Sequence, residues 1–94
     1  MPSVNSYKYI TSATTTTFAG NETSRVLLAC ININKALTGT LTIKTGGGSG
    51  TTLGVLAVGT AAGQYWYTNS GTLIDGLAII NSATEDVTVA YRNI

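Results

Sequence analysis

"TGGGSGTTLG", Thr45 to Gly54, holds five glycines in ten residues, with hydroxyls between them. Such a run is either a loop whose backbone amides cradle a phosphate or a turn between two strands, and the two readings belong to different fold classes. A phosphate loop follows G-x-x-x-x-G-K-[ST], with a lysine for the terminal phosphates and a helix behind it that aims its amides at the anion. Here "GGGSGTT" has no lysine, and the "LGVLAV" that follows alternates as a strand does. The run is therefore read as a flexible connection between strands, displayed outward.

Working outward from it, the apolar residues recur with period two between Gly, Asn and Ser, and no stretch keeps helical spacing over three turns. Before the run, "GTLTIKT" (Gly39 to Thr45) sends Leu41 and Ile43 to one side and Thr40, Thr42 and Lys44 to the other. After it, "TTLGVLAV" (Thr51 to Val58) keeps Leu53, Val55 and Ala57 in register, and Gly54 leaves room for a bulge or for a neighbouring chain. "RVLLACINI" (Arg25 to Ile33) is apolar on both faces and predicts a central strand. "QYWYT" predicts another strand, "LIDGLAII" a turn at Asp75-Gly76 followed by a strand from Leu77 to Asn81, and "DVTVAYR" a strand with Val87, Val89 and Tyr91 on one face.

At the other end, "YKYITSATTTTF" puts Tyr7 and Tyr9 on one face and runs into a threonine tract. Residues 1–17 are read as an extended N-terminal arm or edge strand, and residues 18–94 as the sandwich domain. Seven or eight short antiparallel strands at this spacing predict an all-β, jelly-roll-like sandwich.

The chain has 94 residues, enough for one domain with one modest core. It is 44% hydrophobic and only 10% charged, against about 25% charged in ordinary soluble domains. Threonine supplies 17 of the 94 residues, so neutral hydroxyls replace the usual charges on the surface. Edges poor in lysine predict burial in an oligomer with closed symmetry. Lys8, Arg25, Lys35, Lys44 and Arg92 are scattered and the net charge is +1, which argues against direct nucleic-acid binding. The opening "MPSVNSYKYI" reads as no export signal, and "VLLACI" is far shorter than the roughly 20 residues that span a bilayer, so no membrane partner is expected.

Chemistry is sparse. No histidine is present, and the acids are Glu22, Asp75, Glu85 and Asp86, each beside turn residues or in a loop. An enzyme is not expected, nor is a cofactor. Asn81, Glu85 and Asp86 share one loop and carry oxygen ligands that calcium accepts, but without the spacing of a defined motif, so a solvated turn is the preferred reading and no metal is expected. Cys30, the single cysteine, lies in an apolar run and is read as a core residue. The most site-like group is Tyr65, Trp66 and Tyr67, either an aromatic platform or part of the core or an interface.

The order of segments carries a resemblance. "YITSATTTTF", "VLLACININKALTGTLTIKT", "TLGVLAVG" and "GTLIDGLAIINSATEDVTVAYR", with their ITSATTT opening, IN-x-x-LTGTLTI strand pair, GL-x-I strand and closing DVTV-x-Y-[RK], resemble small all-β virion proteins of tailed bacteriophages. The likeness runs from about Tyr7 to Arg92. It implies a capsid decoration, or cement, protein, made in the bacterial host cytoplasm and seated on the outer capsid surface as a homotrimer, with the major capsid protein and its own copies as partners. Other phage virion proteins of similar build serve at the head-to-tail connector or in the tail. The interface residues expected on this reading are Tyr7, Tyr9, Thr14, Thr15, Thr16, Tyr65, Trp66 and Tyr67. A carbohydrate-binding or host-receptor module, stacking a glycan on the Tyr65–Tyr67 strand, is the alternative from another class.

Overall fold

The computed structural model describes residues 6–18, 25–66 and 72–93. Within them run nine strands: β1 (Ser6–Ile10), β2 (Thr15–Thr17), β3 (Arg25–Ile33), β4 (Leu41–Lys44), β5 (Thr52–Leu56), β6 (Gly63–Trp66), β7 (Thr72–Asp75), β8 (Ala78–Asn81) and β9 (Val87–Asn93). Their antiparallel pairs are nested around the glycine run: β4 with β5, β3 with β6 and β7, β2 with β8, β1 with β9. The chain is thus one long two-stranded ribbon whose tip is the glycine turn. Rolling the ribbon sets β9 beside β3 and β8 beside β4. The result is a first sheet of order β1-β9-β3-β6, with β7 also on β3, and a second of order β2-β8-β4-β5. Two sheets filled in this alternating order are a jelly-roll sandwich.

The count exceeds the seven or eight strands expected because β6 and β7 share one place in the roll. β6 pairs with Cys30 to Ile33 and β7 with Arg25 to Leu28 of the same long strand. The turn at Asp75-Gly76 is present, with Gly76 at φ 64°, and it carries the chain from the first sheet (β7) to the second (β8).

Packing follows the alternation. Leu41 and Ile43 from β4, Ile79 from β8, Val87 and Val89 from β9, and Val26, Leu28, Ile31 and Ile33 from β3 fill the space between the sheets. Each such side chain contributes about 1.5–3 kcal/mol on burial. A bulge between Leu28 and Cys30 resets the alternation, so that Leu28 and Ile31 both reach the core. Leu27, Ala29 and Cys30 are buried as well, as a central strand demands. Burial raises the Cys30 thiol above its ordinary pKa, partly offset by a hydrogen bond with the Tyr65 backbone.

The glycine run differs from the flexible, outward loop expected. Gly46, Gly47 and Gly48 all have positive φ, and the turn folds back on the second sheet. The amide of Gly47 donates to Gly76 O at 2.8 Å, and those of Gly48 and Gly50 both donate to Thr45 O at 3.1 Å. A Cβ on Gly50 would stand 2.9 Å from the Thr45 carbonyl oxygen, and one on Gly48 would meet the Thr15 methyl at 3.3 Å. Glycine is used here because the backbone must close tightly on itself and on its neighbours, and the hydrogen bonds that follow make the turn ordered.

Candidate interaction surfaces

The first sheet ends in β1, where Tyr7 and Tyr9 face away from the core, 71% and 63% exposed. Between them Lys8 turns inward with its ammonium 5.5 Å from the Phe18 ring centroid, and Ile10 is buried in the core. Tyr7 lies opposite Ala90 and Tyr9 opposite Thr88, in rows that continue to Cys30 and Asn32 of β3. Beside Tyr9 is a polar set: Asn34 Nδ2 donates to Asp86 Oδ1 at 3.0 Å and to Thr88 Oγ1 at 3.2 Å, and Asn32 Nδ2 donates to Asn34 Oδ1. Hydrogen bonding to the Asp86 carboxylate, then partial desolvation, holds the Tyr9 phenol above its ordinary pKa. An aromatic pair next to amides and a carboxylate can make apolar and directional contacts at once.

The other sites expected from the sequence are dispersed. Thr15 and Thr16 belong to β2, paired with Ile80 and Ile79, and Thr14 precedes it and accepts the Asn81 amide at 3.0 Å. Residues 6–17 thus contribute one edge strand of each sheet, β1 and β2. Tyr65 lies opposite Ile31, packs against the core and donates its hydroxyl to Ala61 O at 2.7 Å, which removes it from any open platform. Trp66 pairs with Cys30 in β6, while Tyr67 lies outside the described residues, as does Glu22.

A second exposed apolar group was not singled out from the sequence. Leu53, Val55 and Val58 are 45%, 55% and 64% exposed. Val55 lies opposite Thr42, in a row that continues through Ile80 to Thr15 on the outer face of the second sheet. Leu53 is the extra residue of a bulge, since Ile43 pairs with Gly54 and Lys44 with Thr52. The available signal was charge: none of the residues between Lys44 and Asp75 is charged.

The acids have structural partners. Glu85 is buried, and its carboxylate accepts the Thr38 amide at 3.0 Å and the Gly39 amide at 2.8 Å. Asp75 pairs with Arg25 Nε at 3.0 Å on the surface, where such pairs contribute little. Asn81 is buried with both side-chain polar atoms unpaired among the described residues. Asn81, Glu85 and Asp86 thus point to different tasks, and no group of three metal-ligating acids, cysteines or histidines occurs among the described residues. Two shallow grooves there, about 240 Å³ at Lys35, Thr38 and Glu85 and about 210 Å³ at Lys8, Tyr9 and Thr16, fall below the roughly 300 Å³ at which small-molecule pockets begin. Comparison with family models, curated proteins and solved structures finds no match to this chain.

Proposed function

We propose that this chain is a structural protein of a tailed-bacteriophage virion, one that binds the outer capsid surface as a homotrimer and stabilises the shell. The observation that carries this reading is the placement of exposed apolar side chains on opposite faces of one small sandwich. Tyr7 and Tyr9 stand on the first sheet, and Leu53, Val55 and Val58 at the outer end of the second. A domain with contacts on two faces holds two partners at once, and a shell clamp needs that property. The tyrosines are assigned to the major capsid protein, because Tyr is enriched among the side chains that dominate interface energy. Each bound copy then favours the assembled shell by mass action.

Support also comes from the likeness of the ITSATTT, LTGTLTI and DVTV-x-Y-[RK] segments to phage virion proteins. Jelly rolls serve in viral capsid and lectin domains, an analogy of fold alone. The test is sedimentation of phage shells lacking this protein after incubation with the purified chain. The wild type is expected to travel with the shells and to raise the temperature at which they open, while a folded Tyr7→Ser/Tyr9→Ser variant stays in the supernatant. Wild-type protein that remains in the supernatant contradicts the reading.

A glycan-binding role is the second reading, favoured by the position of Tyr9 beside Asn34, Asp86 and Thr88. Binding on a glycan array that disappears in Tyr9→Ala, with the fold intact, would transfer the weight to it.

A further inference from the structure

We propose that copies of this chain meet through the outer face of the second sheet at its β5 end, a placement that rests on the self-association proposed above. β5 closes that sheet, with β4 on one side and no strand among the described residues on the other. Exposed edges are ordinarily protected by lysine or other charged side chains, or by proline, which offers no N–H to a partner strand. β5, of sequence TLGVL, has none of these, and the chain stays uncharged from Thr45 to Ile74.

In their place stand Leu53, Val55 and, just past the strand, Val58, all exposed. From Val55 the outer row runs through Thr42, Ile80 and Thr15, a sequence of methyl groups and hydroxyls. Lys44, opposite Thr52, marks the rim of this row.

A second copy is the occupant that this chemistry fits. Close to a rotation axis each side chain meets its own copies from the other subunits, so a charged patch placed there repels itself and a neutral one does not. The first sheet's outer side carries the Arg25–Asp75 pair and Asp86 and would bring like charges together. The bulge at Leu53 interrupts the edge, so the contact is made by side chains of the face and not by a continuous backbone ladder. A standard interface removes roughly 800 Å² from each partner, about a sixth of the 5027 Å² this chain exposes. The contact must therefore extend from the row onto the uncharged turns on either side of β5. Around a threefold axis, Val55 of each copy lies near Val55 of the next.

The experiment is light scattering with size-exclusion chromatography on the full chain, comparing wild type, Val55→Lys, Leu53→Lys/Val58→Lys and Tyr7→Lys, with circular dichroism to establish that each is folded. The substituted side chains are exposed, so the fold should persist. Wild type and Tyr7→Lys are expected to share one oligomeric mass, and the β5-side variants to fall to the mass of a single 9.7 kDa chain. Should both β5-side variants keep the wild-type mass, this surface is wrong while self-association stands. A monomeric wild type overturns self-association itself, and this surface with it.

Discussion

Glu85 accepts two backbone amides, from Thr38 and Gly39, inside the packed loop region that leads to β9. In sequence it is one acid among turn residues; in the fold it ties the chain after β3 to the chain before β9. Glu85→Ala leaves those donors without their acceptor and is predicted to cost about 1–3 kcal/mol. The check is a lower urea midpoint at unchanged slope; an unchanged midpoint contradicts the assignment. Tyr9 carries a second prediction. The Asp86 carboxylate raises its phenol pKa, so the folded state holds that proton more tightly than the unfolded one. The resulting stabilisation is complete below the unfolded value near 10 and is lost as pH rises through the folded value. Ultraviolet titration should show a tyrosine ionising above the ordinary range, moving down in Asp86→Asn. A titration identical in the two proteins would show that the contact has no effect in solution.

At the scale of elements, the hairpin tip is the most demanding segment, since Gly50 has no room for a Cβ against the Thr45 carbonyl. Gly50→Ala is predicted to lower the melting temperature by several degrees, following a cost of about 1–3 kcal/mol for forcing a methyl group against the Thr45 backbone. A variant that melts with the wild type would mean the turn relaxes freely. The elements that could be read beforehand are those whose pattern is set by burial on one or both faces. Arg25–Ile33 is a strand with the bounds expected, and Leu41 with Ile43, and Val87 with Val89, face the core as their alternation requires. What could not be read depends on contacts distant in sequence. Leu53 and Val55 alternate like core residues, yet β5 is an edge strand beside a bulge and exposes them. Tyr65 looked like part of a platform, but its register opposite Ile31 turns it toward the core. The order in the glycine turn arises from Gly76, remote along the chain but hydrogen-bonded to Gly47.

In the molecule as a whole, the nested ribbon explains why a chain with so few charges holds one shape. Every strand but those at the sheet edges is paired on both sides, and residues from both sheets share one apolar core. The same roll leaves β1 and β5 at edges of different sheets, with the tyrosines on one and the aliphatic side chains on the other. Joining β1 to β9 closes nearly the full length of the chain, so folding is expected to be slow for its size. Assembly is the property on which the account depends, because a shell clamp must present its own copies and its capsid partner with separate faces. The most direct measurement is the mass of the wild-type protein in solution by light scattering. A particle of three times the 9.7 kDa chain is predicted, and a stable monomer across micromolar concentrations would contradict the account.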